Sequence, residues 1–144
     1  MATKGQMSGM RGVFLAAAEL AKQNYIVSPT SRSAAGADLL VTNHSCSTAF
    51  SVQVKTSSKK ASFWLVGKNC QDIVAKSHVY VFVMISEIRK GGQVEEVFDY
   101  YVVPSRIVSQ YTQKYDRPNG ARYSIQKKLI EKYKDKWSLF GSPN

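Results

Sequence analysis

Ala37-Asp38-Leu39-Leu40-Val41 and Phe50-Ser51-Val52-Gln53-Val54-Lys55-Thr56 are the two segments whose reading decides the fold. In the second, Phe50, Val52 and Val54 alternate with Ser51, Gln53 and Lys55. Successive side chains of a strand point to opposite faces, so this is a strand with one apolar and one polar face. The first reads as a strand that opens on a single acid. Between them Thr42-Asn43-His44-Ser45-Cys46-Ser47 has turn composition, so the two strands make a hairpin. That hairpin carries Asp38, Gln53 and Lys55 to one end of a sheet, with both Gln53 and Lys55 on the face away from Phe50, Val52 and Val54.

Three oxygens at such a place suit a hard divalent cation: the Asp38 carboxylate, the Gln53 amide and the Val54 backbone carbonyl. Mg²⁺ needs only one or two carboxylates when water and a substrate phosphate complete its shell. A lysine at position 55 beside the ion can position the attacking water and offset charge in a phosphoryl transition state.

Outward from the hairpin the chain alternates helix and strand. Residues 1–8 are polar and Gly/Ser-containing and read as a flexible leader. Met10, Val13, Phe14, Ala17, Leu20 and Ala21 recur at three- and four-residue intervals, predicting a helix that ends near Gln23-Asn24. Tyr25-Ile26-Val27 follows as a strand. Phe63-Trp64-Leu65-Val66 is a short strand, and Cys70 to Lys76 a short helix with Asn69 as its cap. His78 to Ile85 is almost uniformly apolar and reads as a strand buried on both faces. Arg89 to Gly92 is a turn, and Val94 to Val103 returns as a strand. Ser105 caps a helix over Ile107, Val108 and Tyr111; Asp116 to Gly120 breaks it. Ile125, Leu129, Tyr133 and Trp137 trace a terminal helix. The fold class is α/β, a mixed sheet flanked by helices.

A long alanine-rich helix, then Ala37-Asp38-Leu39-Leu40, then Val52-Gln53-Val54-Lys55-Thr56 resembles the core of the PD-(D/E)XK nuclease superfamily, which includes restriction endonucleases and archaeal Holliday-junction resolvases. The resemblance spans about residues 9–103 and implies an αβββαβ core in a single domain (9–144), with residues 104–144 as a C-terminal helical extension. It implies a metal-dependent nuclease that hydrolyses DNA phosphodiester bonds with Mg²⁺ or Mn²⁺. Asp38 corresponds to the metal-binding acid, Gln53 stands in place of the second acid, and Lys55 corresponds to the lysine. Ser57 and Lys59 are expected at the phosphate, with Lys60 and Lys68 on the DNA backbone. The sequence departs from the pattern at three places. Ala37 replaces a proline. Gln53 removes one negative charge. Val13 follows Gly9-Met10-Arg11-Gly12 where many members carry a glutamate. Glu19, the one acid in this helix, falls about 200° from the centre of the apolar stripe at roughly 100° per residue, an outward position.

Composition agrees with a polyanionic partner. The 144 residues carry 20 Lys+Arg against 10 Asp+Glu, a net charge of +10, with 44% apolar residues. That apolar content sustains a packed core and excludes a disordered tail. Five lysines against Asp72 lie from Lys55 to Lys76, and seven basic residues against Glu131 and Asp135 lie from Arg117 to the end. The longest apolar run, Val79 to Ile85, is far short of the roughly 20 residues a membrane-spanning helix needs. The first residues lack a signal-type apolar stretch, so the expectation is a cytoplasmic protein. His44 and Cys46 supply at most two ligands in a turn, His78 reads as a structural histidine, and Gly91-Gly92 as hairpin chemistry. Two other functions stay open: a nucleic-acid-binding module of the same fold without hydrolysis, and a protein-interaction domain pairing through Phe98 to Val103. A homodimer suits the nuclease too, because two cuts on a duplex need two sites.

Overall fold

A computed structural model describes residues 1–31, 36–58 and 61–144. The first helix, α1 (Lys4–Lys22), begins inside the stretch expected to be a leader. Thr3 and Gln6 form a capping box: Thr3 Oγ1 accepts the Gln6 N–H at 3.2 Å, and Gln6 Oε1 accepts the Thr3 N–H at 2.8 Å. Those bonds satisfy donors the first turn would leave orphaned. The helix stops where expected. Asn24 takes φ +70°, and the N–H groups of Asn24 and Tyr25 close back on Ala21 and Leu20. This is the paired-bond ending that a left-handed residue permits.

Five strands form the main sheet, in the order β1 (Ile26–Pro29), β2 (Leu39–Thr42), β3 (Ala49–Ser57), β5 (His78–Lys90), β6 (Gln93–Pro104). Every pairing is antiparallel except β3 with β5. Strand β4 (Phe63–Val66) leaves this sheet, and α2 (Asn69–Asp72) then leads into β5. The predicted hairpin of β2 and β3 is present, with Leu39 opposite Val52. Strand β5 is buried on both faces from His78 to Ile85, as its composition requires. It runs on in solvent to Lys90, because the apolar pattern marks only its buried half. Gly91 and Gly92, at φ +57° and +81°, join it to β6 through a two-residue loop that favours glycine at both places.

The odd and even residues of β3 and β5 feed two separate cores. On one side Val52, Val54, Val79 and Val81 pack under α1 through Ala16 and Leu20. On the other Tyr80, Phe82 and Met84 pack with Trp64, Ile107 and Ile125. The face that α1 buries is carried by Gly12, Ala16 and Leu20, while Met10 and Phe14 stand in solvent. Glu19 shares that buried side rather than facing outward: its side chain is 22% exposed and lies 4.0 Å from Lys22. Its charge, after the effect of burial, helps raise the pKa of the Tyr100 phenol. Small residues let the helix approach the sheet closely, and a stripe drawn from apolar weight alone is rotated away from them.

Beyond β6 come α3 (Ser105–Tyr111), β7 (Gln113–Tyr115), β8 (Arg122–Gln126) and α4 (Lys127–Ile130), then single 3-10 turns at Glu131–Tyr133 and Trp137–Phe140. The expected terminal helix is therefore replaced at its start by a strand. Tyr123 and Ile125 alternate with Arg122, Ser124 and Gln126, and β8 pairs with β4 and β7 in a second, three-stranded sheet. Ser105 does not cap α3. Its buried hydroxyl donates to the Ala75 carbonyl at 2.7 Å and accepts the Ala75 N–H at 3.0 Å. Asn69 lies inside α2, whose cap position is Lys68. The edge of β6 expected to pair with a partner is met by the chain's own tail. Lys134 bridges Tyr101, and the Asp135 N–H bonds the Tyr100 carbonyl at 2.9 Å.

Candidate active site

Strand β2 begins at Leu39, opposite Val52, and beyond that pair β3 continues alone on that side to Ser57. N–H and C=O of one strand residue point to the same edge, and alternate residues to alternate edges. The Ser51 N–H bonds Ser77 toward β5, so Val52 and Val54 present their backbone groups toward β2. Asp38, one residue before β2, occupies this fork. Its N–H donates to the Val52 carbonyl at 2.8 Å, and its Oδ2 accepts the Val54 N–H at 2.7 Å. The carboxylate thus stands in for the missing strand. The Val54 carbonyl opens on the same edge.

Asp38 is braced from behind by Thr30. The Thr30 N–H donates to the Asp38 carbonyl at 3.0 Å, and Thr30 Oγ1 donates to the Ala37 carbonyl at 2.6 Å. Nothing in the local pattern of β1 announces this; it follows from the pairing of β1 with β2.

Gln53 and Lys55 flank Val54 on the side of β3 away from α1, in register with Tyr80 and Phe82. Gln53 Oε1 is buried and has no hydrogen-bond partner among the described residues. Lys55 is half-buried and makes no ion pair or hydrogen bond among the described residues. Ser57 ends the strand on the same side as both. Lys59 and Lys60 lie outside the described residues. Lys68 is exposed at the cap of α2 and shares no hydrogen bond or ion pair with Asp38, Gln53 or Lys55. The expected group Asp38, Gln53, Val54 and Lys55 is therefore drawn to one stretch of β3, and Lys68 belongs to a different element.

This stretch of β3 carries a carboxylate held on the Val54 N–H, an orphaned, buried amide oxygen and a strand-edge carbonyl, oxygens of the hard kind that Mg²⁺ or Mn²⁺ takes. The residues fit such an ion. They also make it weakly charged: no group of three His, Cys, Asp or Glu able to hold a metal occurs among the described residues.

Further along this face Ser51 Oγ lies 2.7 Å from His78 Nδ1, and the His78 and Tyr80 rings meet edge to face at 5.0 Å. Burial holds the His78 imidazole below its ordinary pKa, partly offset by hydrogen bonding to Ser51. Burial, with the Cys70 thiol beside it, pushes the Tyr80 phenol up. His78 is the structural histidine expected. His44 and Cys46 are exposed in a turn held by Asn43, whose Oδ1 accepts the Ser47 and Thr48 N–H groups.

No family model and no curated protein matches the chain. Among solved structures, a bacterial homing endonuclease, I-Ssp6803I, superimposes with a TM-score of 0.55 over 96% of this chain and 91% of its own, at 15% identity. The Holliday junction resolvase Hjc of Archaeoglobus fulgidus aligns over 82% of this chain and 90% of its own, with a TM-score of 0.49 and 9% identity. No helix is long and apolar enough to cross a membrane among the described residues. With α1 packed across a mixed sheet whose second and third strands fork at Asp38, and with the homing endonuclease superimposing over nearly its whole length, the chain has a restriction-endonuclease-like fold.

Proposed function

We propose that this protein is a metal-dependent nuclease that hydrolyses DNA phosphodiester bonds at the β2–β3 fork. One observation carries the reading: the Asp38 carboxylate is fixed on the Val54 N–H, and the residue before Val54, Gln53, has a buried amide oxygen with no partner among the described residues. Asp38, Gln53 and the Val54 carbonyl would hold Mg²⁺ or Mn²⁺. When bound, such an ion neutralises phosphate charge and lowers the pKa of a coordinated water.

The chain's own residues do the rest. The bond from Val54 fixes the Asp38 carboxylate plane, so Oδ1 is presented at a constant position. Lys55 supplies a positive charge beside the scissile phosphate and orients the attacking water. Ser57, Lys59 and Lys60 follow on the same run of chain, where the phosphate backbone passes the end of β3. A net charge of +10 draws the substrate in.

The test is Asp38→Asn. Asparagine keeps an oxygen acceptor for the Val54 N–H and removes the charge, so the fold stays while cleavage of supercoiled DNA in Mg²⁺ is lost. Cleavage at the parental rate would refute the assignment. A second reading, a nucleic-acid-binding module of this fold without hydrolysis, draws on the single carboxylate at the fork. It requires that neither Mg²⁺ nor Mn²⁺ gives cutting or an Asp38-dependent heat of binding.

A further inference from the structure

The second sheet has an inner face in the core and an outer face in solvent. Trp64 and Ile125 point inward, at 1% and 0% exposure. The alternate residues point outward, and they are not what a merely solvated sheet carries. Phe63 and Leu65 of β4 are 43% and 58% exposed, and Tyr115 of β7 is 45% exposed. Between them on β8 stands Ser124, opposite both Leu65 and Gln113. A small residue in the middle strand, with large ones on both sides, leaves an open groove of about 440 Å³.

The walls of this groove have a definite chemistry. Phe63 is at one end and Tyr115 at the other, with Arg122 directly opposite Tyr115 and Arg117 at the rim. No carboxylate lines it among the described residues. The nearby Asp116 is paired with Lys114 at 3.6 Å. Tyr115 is held in place, its hydroxyl donating to Gln113 Oε1 at 2.6 Å while Gln126 Nε2 donates to the same oxygen at 3.2 Å.

The geometry points to this groove as a binding face for unpaired nucleic-acid bases. Phe63 and Tyr115 offer ring faces on which bases stack, Ser124 forms the floor with Leu65 at its side, and Arg117 and Arg122 meet the backbone phosphates. Aromatic rings on an open sheet, bordered by cations and free of acids, are the arrangement by which single strands are held without sequence preference. A duplex hides its base faces and would use the arginines alone, leaving two rings and a leucine in water. The inference stands on this sheet's own chemistry and not on the nuclease reading, but together they describe an enzyme that grips a frayed, flapped or looped segment of its substrate.

The experiment uses the full chain in EDTA, with fluorescein-labelled single-stranded DNA and a blunt duplex of the same sequence as probes. The double substitution Phe63→Leu/Tyr115→Leu should weaken single-strand binding about tenfold, with the salt slope retained. Duplex binding should change by less than about twofold. Arg122→Gln should instead reduce the salt slope for the single strand by about 0.7. Circular dichroism of the variants should match the parent, since the side chains changed are exposed. Equal losses on both probes, or none on either, would overturn the proposal. So would a parental dimer, seen by sedimentation, that the double substitution dissolves while single-strand affinity is unchanged, since the groove would then receive a second copy. Asp38→Asn should keep the dependence of single-strand binding on Phe63 and Tyr115. If it also cuts like the parent, the nuclease reading fails and the stacking face survives.

Discussion

A β-carbon built on Gly12 would lie 1.7 Å from Thr56 Oγ1 and 2.8 Å from Thr56 Cβ. The first helix therefore touches β3 backbone-close, one residue beyond Lys55, and the contact sets the height of α1 over the strand that carries the candidate site. Alanine favours a helix over glycine by about 1 kcal/mol, whereas forcing an extra methyl into a filled contact costs about 1–3 kcal/mol. The overlap is deep enough that the second effect wins. Gly12→Ala should lower the urea midpoint, and adding Thr56→Ala should recover part of the loss. An unchanged or raised midpoint for Gly12→Ala would mean that the helix rides higher than described.

Replacing Asp38 separates its two roles. Asn keeps the bond from Val54 and should leave stability within about 0.5 kcal/mol, while Ala strands that N–H and should cost about 1 kcal/mol. Both should reduce DNA cleavage about 10²-fold or more, because the charge proposed to hold the ion is gone in each. Nicking assays paired with urea unfolding would show whether loss of cutting tracks the charge or the fold.

His78 makes stability depend on pH in a defined direction. Its folded pKa lies below the ordinary value because burial disfavours the imidazolium. The unfolded chain therefore binds the proton more readily. The contribution is complete above about pH 6.5, the unfolded value, and is lost as pH falls through the lower folded value. The urea midpoint should decline between about pH 7 and pH 5.5, and His78→Gln should flatten that decline. An equal slope in the variant would assign the effect elsewhere.

Arg11 on α1 grips Glu96 on β6 through two parallel bonds, each of 2.7 Å. Hydrogen bonding to Arg11 holds the Glu96 carboxyl below its ordinary pKa. Its contribution is present above the unfolded pKa and lost as pH falls through the depressed folded one. Carboxyl-detected NMR should show Glu96 titrating at a lower pH than free glutamate, and Arg11→Gln should return it upward. High salt should shrink the difference, since both side chains are about half exposed.

Local pattern carried the centre of this fold. The alternation from Phe50 to Lys55 placed Gln53 and Lys55 on one face, and the turn at Thr42 to Ser47 brought the strand that follows Asp38 back against theirs. The buried run from His78 to Ile85 needed cover on both sides and has it. What misled was periodicity without partners. Ile125, Leu129, Tyr133 and Trp137 have helical spacing, yet Arg122 to Gln126 is a strand because β4, some sixty residues earlier, offers it an edge. Met10 and Phe14 outweigh Gly12 and Ala16 on any hydropathy count, yet the small pair faces the sheet.

The sequence by itself determined which segments alternate, which are buried twice and which side chains share a face, because those properties depend on neighbours within a few residues. Only the tertiary structure decided that the Asp38 carboxylate bonds the Val54 N–H just before β2 begins, that Gln53 Oε1 is buried without a partner among the described residues, and that Phe63 and Tyr115 stand on either side of Ser124. Each of these depends on where one strand ends relative to another. Pairing between distant segments sets that endpoint, through backbone hydrogen bonds that all residue types share and that leave no mark on local composition.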